Sequence, residues 1–350
     1  MGTNIQLHIR KGSAMVKICV SSSFPERLNV NRGLVDSLAE GFQTVLGKDQ
    51  VQVCPYSALP GFLTRKVPDL LVMIGSALHS SGDYSAISQA CKRAGVTFVF
   101  WTVEDPYEFD ANSKFTQYAD IIISNDAYAV KYYPRDQVFH LPLAAPERIA
   151  KSLVNFTARP LDIFFCGVGF KIRQRIIVDA HDIFARYNSR ILGDNWAQTP
   201  DGIVQNHRVP ADVILDYYHN SKVVLNIGRD HAYANETRGL KSVTPGPRTF
   251  EAAMTGCVQF YYQPSAFLAD YFEPDKEIVT FNDVFELEEK LDYLMNNPLE
   301  AMAIAKRAQK RCLKDHTFAR RAEQLLAIVR SAIPTFDASR KTATKIIKVG

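Results

Sequence analysis

Leu161-Asp162-Ile163-Phe164-Phe165-Cys166-Gly167-Val168-Gly169-Phe170-Lys171-Ile172-Arg173 is the stretch on which the fold turns. The mostly apolar run Leu161–Phe165 predicts a strand buried on both faces. Two closely spaced glycines then mark a tight turn, and helical spacing follows over Arg173–Tyr187. Strand, turn and helix in that order open a parallel α/β unit. The same grammar continues downstream, with strands predicted at Arg190–Leu192, Val223–Ile227, Val258–Tyr262 and Glu277–Phe281. Helices fit Ala211–His219, Pro247–Thr255 and Ser265–Tyr271, and about three more run in succession from Val284 to Arg330.

Working back toward the N-terminus, a turn-rich passage extends from Pro142 to Arg159-Pro160, and before it the alternation is already present. Strands are predicted at Lys17–Val20, Val51–Cys54, Leu70–Ile74, Thr97–Thr102, Asp120–Ser124 and Val138–Leu141. Helices are predicted at Asn31–Leu46, Tyr84–Ala94 and Ala127–Tyr132. The expected fold class is therefore α/β, with two doubly wound Rossmann-like domains facing a cleft and a boundary near residues 145–158. The N-terminal domain is expected over 15–150 and the C-terminal domain over 155–330. Residues 1–14 read as a leader or an extra strand, and 331–350 as a basic C-terminal tail. In such folds ligands bind beyond the carboxyl ends of the strands.

The 350 residues are enough for two cores, and 47% apolar with 22% charged residues excludes a disordered or collagen-like chain. The densest apolar stretch, Val96 to Val103, is far too short to span a bilayer. A net charge of +4 spread along the chain gives no nucleic-acid footprint. The tail holds Arg340, Lys341, Lys345 and Lys348 against Asp337 alone, which fits a solvated end. Six cysteines with no close pair read as buried thiols in a reducing cytoplasm rather than as a zinc site.

The loops after the strands carry the chemistry. No dinucleotide fingerprint is complete: Gly167 and Gly169 are followed by Ile172 where a third glycine belongs, and no P-loop occurs. Nor does any Asp-x-Asp occur, the arrangement that commonly holds a divalent ion in metal-dependent sugar-nucleotide transferases of the single-sheet type. Lys171, Arg173 and Arg175 crowd a helix N-terminus, where each exposed cation costs about 0.3–1 kcal/mol against the helix dipole. That cost points to an anion nearby, with the two glycines letting backbone amides approach it; solvated surface cations are the alternative. A second anion site is expected at Thr244-Pro245-Gly246-Pro247-Arg248-Thr249-Phe250-Glu251, where proline in the first turn leaves a cleanly started helix beside Arg248. Glu251, one turn in, is placed to accept both hydrogens of a vicinal diol, or to act as a plain first-turn partner of the dipole.

Arg248-Thr249-Phe250-Glu251-Ala252-Ala253-Met254-Thr255-Gly256-Cys257 resembles the donor-domain signature of two-domain (GT-B) glycosyltransferases, and most nearly the CgeB-like, spore-maturation branch. Trp101-Thr102-Val103-Glu104-Asp105-Pro106-Tyr107-Glu108-Phe109-Asp110 looks like that branch's N-terminal signature. Phe165–Gly169, Ile191–Trp196 and Phe272–Glu277 are similar too, so the resemblance spans about Val16 to Arg330. It implies a metal-independent transfer of a sugar from a nucleoside-diphosphate sugar, UDP- or GDP-linked, to an unknown acceptor. Lys171 and Arg173 would face the pyrophosphate together with Gly167, Gly169, Arg248 and Thr249, and Glu251 would hold the ribose. Asn195 and Trp196 would lie near the base. No cofactor is implied. One departure is that Val243 stands eight positions before Glu251, where retaining enzymes of this architecture often carry a glutamate; Glu236 is the substitute on offer.

An inverting transferase also needs a base to take the acceptor proton. Asp105 is the first choice, Glu104 the second and His79 the third; helix capping by Asp105 competes with its assignment as base. The loop Gly228–Gly246, with Arg229, Asp230, Tyr233, Asn235, Glu236 and Arg238, is long enough to fold over a donor sugar or to be a disordered insertion. Two other functions fit the same architecture: a nucleotide-sugar 2-epimerase and a non-catalytic sugar-nucleotide-binding protein.

Overall fold

A computed structural model describes residues 16–336 apart from 24, 26–31, 79–81, 198, 200 and 263–267. The expectations for residues 1–14, for His79 and for the tail beyond Phe336 lie outside the described residues.

The N-terminal sheet contains β1 (Ile18–Ser22), β2 (Val51–Val53), β3 (Leu70–Gly75), β4 (Thr97–Thr102), β5 (Ile121–Ser124) and β6 (Val138–His140), all parallel in the order β2-β1-β3-β4-β5-β6. Buried side chains line β1, β3 and β5 without interruption, as a sheet covered on both faces requires. The helices of this half are α1 (Arg32–Leu46), α2 (Leu59–Arg65), α3 (Tyr84–Ala94) and the single turn α4 (Ser113–Thr116). Asp83 caps α3 by accepting from the Ala86 amide at 2.9 Å, and Gly95 ends it in the left-handed region at φ 67°.

The C-terminal sheet holds β7 (Leu161–Cys166), β8 (Ser189–Gly193), β9 (Val204–Asn206), β10 (Ser221–Ile227), β11 (Val258–Tyr262) and β12 (Val279–Phe281), again all parallel in the order β12-β11-β10-β7-β8-β9. Strand order therefore reverses between β7 and β10. The loops after these two strands diverge to opposite faces and leave a crevice between them. Its helices are α5 (Lys171–Asp179), α6 (His181–Ala185), α7 (Ala211–Asn220), α8 (Pro247–Met254), α9 (Val284–Asn296) and α10 (Pro298–Asp315). Five of the six cysteines are buried and all six are free.

One boundary differs from the sequence expectation. The last helix, α11 (Phe318–Ala332), does not complete the C-terminal domain but crosses back onto the first. Phe318, Ala322, Leu325, Leu326 and Val329 join the cluster formed by Val35, Leu38, Phe42 and the strands β1 and β3. Phe336, assigned to the tail from sequence, is buried in that cluster too. The two interdomain crossings run side by side: Ala145 bridges Thr317, its amide donates to His316 O at 3.1 Å, and the Phe318 amide donates to Ala145 O at 3.3 Å. Arg321, 2% exposed, locks them by donating to Pro142 O at 2.8 Å, Asp315 O at 3.0 Å and His316 Nδ1 at 3.1 Å. Because α11 belongs to the N-terminal core, Leu325→Ala should destabilise that domain by about 2–5 kcal/mol. Hydrogen exchange should show faster opening of β1, β3 and α1, with β7–β12 left near wild-type protection.

Candidate active site

The site is built at the reversal between β7 and β10. After β7, Gly167–Phe170 folds over β8 and leads into α5, whose cap residue Phe170 offers no side-chain bond. Gly167 N donates to Leu192 O at 3.0 Å and Gly169 N to Asp194 O at 2.8 Å. These amides are spent on the neighbouring loop, contrary to the expectation that they approach a ligand. A Cβ at Gly169 would collide with Asn195 O, and one at Gly193, which sits at φ 142°, would collide with Gly167 O. The glycines thus serve close loop-to-loop packing. Trp196 closes the same arrangement: it is 7% exposed, packs edge-on to Phe165 and donates from Nε1 to Gly167 O at 2.8 Å. It is a core residue, and only Asn195, exposed with φ 62°, stays on the rim of this loop.

Burial raises the pKa of the Cys166 thiol, and of the cations expected to meet an anion Arg248 and Arg173 both lie close enough to pull it back down, while Lys171 and Arg175 are exposed on α5. Arg173 reaches back from α5 to the end of β10, donating from Nε to Ile227 O and Gly228 O at 3.0 and 3.1 Å and from Nη1 to Val168 O at 3.0 Å. Its guanidinium lies over the Phe165 and Phe170 rings, and burial lowers its pKa to about 10. Among the described residues its Nη2 has no acceptor. Lys171, two residues earlier at the start of α5, is exposed. From the other side, β10 tethers α8: Asn226 Nδ2 donates to Thr249 Oγ1 at 2.6 Å. Thr249 is wholly buried and holds the helix in place, which removes it from the set facing a ligand. Arg248 and Glu251 lie on the open side of the same helix, paired at 2.8 Å through Oε2 of Glu251, and that carboxylate raises the Arg248 pKa further. Gly246 gives α8 no side-chain cap.

The loop 228–246 is an ordered strap from the end of β10 to the N-terminal domain. Tyr107 O accepts from the Tyr233 and Ala234 amides, both at 3.0 Å. Asp110 accepts from the Glu236 and Thr237 amides at 2.8 and 3.1 Å. Asp126 accepts from Val243 N at 2.8 Å and Thr244 N at 3.0 Å, while Leu240 enters the N-terminal core. Glu236 is thereby anchored through its amide and is exposed. Near its start the strap faces the cleft: Arg229 pairs with Glu104 and stacks on the Tyr107 ring at 3.5 Å, and Asp230 accepts from the Ile172 amide, at the N-terminus of α5, at 3.2 Å. His231 lies against the Phe170 ring at 5.4 Å.

The acidic turn after β4 divides its work among its members. Asp105 is 1% exposed, and its oxygens accept from Thr102 Oγ1 (3.0 Å), Ser124 Oγ (2.6 Å), Tyr133 OH (2.7 Å) and Asn112 Nδ2 (2.7 Å). Burial raises its pKa and these donors pull it back. A carboxylate so enclosed knits β4, β5 and the following turns together; it has no face toward an acceptor, and it caps no helix. Glu104 is committed to Arg229. Glu108, which sequence reasoning left unassigned, accepts from Ser76 Oγ at the end of β3 and is pushed up to about 7 by burial. Its spacing of one helical turn from Glu104 was the available signal. Asp105→Asn should cost about 1–3 kcal/mol in urea unfolding, because one amide hydrogen pair must then face a donor.

Three comparisons with known proteins bear on this geometry. Residues 173–327 match the family model described as Glycosyl transferase-like. The spore protein CgeB of Bacillus subtilis is 22% identical over 241 residues, 65% of this chain and 74% of that protein. Among solved structures, Anabaena HepE in complex with UDP and glucose superposes with a TM-score of 0.58 at 13% identity, covering 90% of this chain and all (100%) of that one. The sucrose-phosphate synthase of Thermosynechococcus elongatus superposes with 0.58 at 11% identity, over 91% and 100%. Residues 173–327 therefore carry a glycosyl-transferase-like domain, set in a chain that has the two-domain GT-B fold.

Proposed function

We propose that this protein transfers a hexose from a UDP-linked donor to an acceptor, with the leaving diphosphate stabilised by protein cations and helix amides. The observation that carries the reading is that Arg173 and Arg248, from the first turns of α5 and α8, both act on the Cys166 thiol at the end of β7, beside the crevice between β7 and β10. Like charges gathered at helix N-termini repel, and a diphosphate relieves that repulsion. The strap already places the Asp230 carboxylate on the Ile172 amide, so an anion is favoured at that point.

In this reading Glu251 takes the ribose hydroxyls through Oε1 while Arg248 holds Oε2, and Asn195 borders the base. Stabilising charge as it develops on the leaving phosphate is electrostatic work, to which fixed dipoles and cations contribute most in a water-poor cleft. The uridine is supported by HepE, whose structure holds UDP. No helix among the described residues is long and apolar enough to cross a membrane, and the free, mostly buried thiols support a cytoplasmic setting.

Glu251→Ala should weaken UDP binding about 10–100-fold by titration calorimetry, the loss of a charged hydrogen-bonding partner; unchanged affinity would remove Glu251 from the ribose. Asp230→Asn should act in the opposite direction. Taking away the competing carboxylate at α5 should tighten UDP about 2–5-fold, an effect that fades as salt is raised.

A further inference from the structure

We propose that Glu108 is the general base that deprotonates the acceptor, so that transfer proceeds with inversion at the anomeric carbon. This inference rests on the transferase reading above and deepens it. Glu108 follows β4 at the carboxyl end of the N-terminal sheet, within electrostatic reach of Arg229 of the strap. Arg229 joins the two domains: it is bonded to Glu104, stacked on Tyr107, and close enough to Arg173 for the two charges to interact. Of the carboxylates in the acidic turn, Asp105 is saturated by four donors, Glu104 is held by Arg229, and Asp110 is occupied by two strap amides. Glu104 and Asp110 each have one oxygen tied to the strap, whereas Glu108 is held, among the described residues, only by Ser76 of its own domain and is nearly enclosed. Its Oε2 accepts from Ser76, while Oε1 has no partner among the described residues and is not sealed from solvent, although the residue as a whole is only 8% exposed.

The charged groups facing Glu108 are Glu104 and Asp105 from its own turn and Arg229 from the strap. Burial and the two acids raise its pKa, and the Ser76 hydroxyl and Arg229 lower it, leaving it at about 7. A base at that value is half ionised near neutral pH and still holds a proton firmly once taken. In the step itself, Oε1 accepts the proton of the acceptor O–H as the acceptor oxygen bonds to the anomeric carbon. The anomeric C–O bond breaks on the opposite face, and its electron pair leaves with the nucleoside diphosphate. Protonated Glu108 then returns its proton to solvent.

The test uses UDP-glucose with water as acceptor, so that no natural acceptor has to be known. Wild-type protein should release glucose first as the β-anomer, seen by proton NMR before mutarotation. Its kcat should rise as pH increases through about 7, because the working form is the carboxylate. Glu108→Gln should lose about 100-fold or more in kcat, with UDP affinity within twofold of wild type, which also reports an intact fold. Ser76→Ala should move the ascending limb to higher pH by removing a hydrogen bond to the charged form. Glu108→Ala supplied with azide, a nucleophile with no proton to lose, should regain turnover and yield β-glucosyl azide, which a merely structural glutamate would not allow. An E108Q enzyme that cleaves UDP-glucose at the wild-type rate, or α-glucose as first product, overturns the assignment of Glu108 while leaving the transferase reading in place. A wild-type protein that neither binds UDP nor cleaves UDP-glucose overturns both.

Discussion

Repulsion among cations at the crevice between β7 and β10 is the constraint around which the cleft is organised. Arg173, Arg229 and Arg248 each stand where a helix dipole or another cation opposes them, and each is compensated locally. Arg173 spends two of its nitrogens on carbonyls at the ends of β10 and of the turn after β7. Arg229 is matched by Glu104 and Arg248 by Glu251. Asp230 covers the exposed amide of α5. Within this balance Lys171 and Nη2 of Arg173 have no acceptor among the described residues, and it is to them that the proposed diphosphate would add its charge. Stability and ligand affinity draw on the same few groups here.

Much of this framework was legible from periodicity. The central strands are runs of apolar, β-branched and aromatic residues, and buried parallel strands have no other composition available. Thr97–Thr102, Val258–Tyr262 and Tyr84–Ala94 were placed to the residue. What escaped were elements whose composition hides them. β9 is three residues, Val-Gln-Asn, at a sheet edge, and α2 carries Pro60 and Gly61 in its first turn. The single helix predicted over Arg173–Tyr187 is two, parted at Ala180, whose ψ of 9° breaks the run. For α11 the periodicity was right and the partner was not, because an amphipathic pattern says that a face is buried but not against which sheet.

The same limit applies to the site. Sequence pattern found the basic turn, the start of α8 and the acidic turn because each sits at a strand end. It ranked Asp105 first and Glu104 second because the contacts that set the carboxylates of that turn apart come mostly from other strands: Asp105 meets donors from Ser124 and Tyr133 besides Thr102 and Asn112, Glu104 meets Arg229, and Glu108 meets Ser76. Likewise Gly167, Gly169, Trp196 and Thr249 resemble ligand contacts locally and prove to be the joinery beneath them. The strap was recognised for its length, but not as a bridge, since its anchors Asp110 and Asp126 lie more than a hundred residues upstream.

The paired crossings at Ala145 and Thr317 carry a mechanical consequence. A single connecting segment lets two lobes swivel and twist freely, whereas two laced strands bend easily only across their common plane. Any motion of one lobe against the other is thereby confined to one bending direction, and the strap, tied to Asp110 and Asp126 of the N-terminal domain, limits how far it can go.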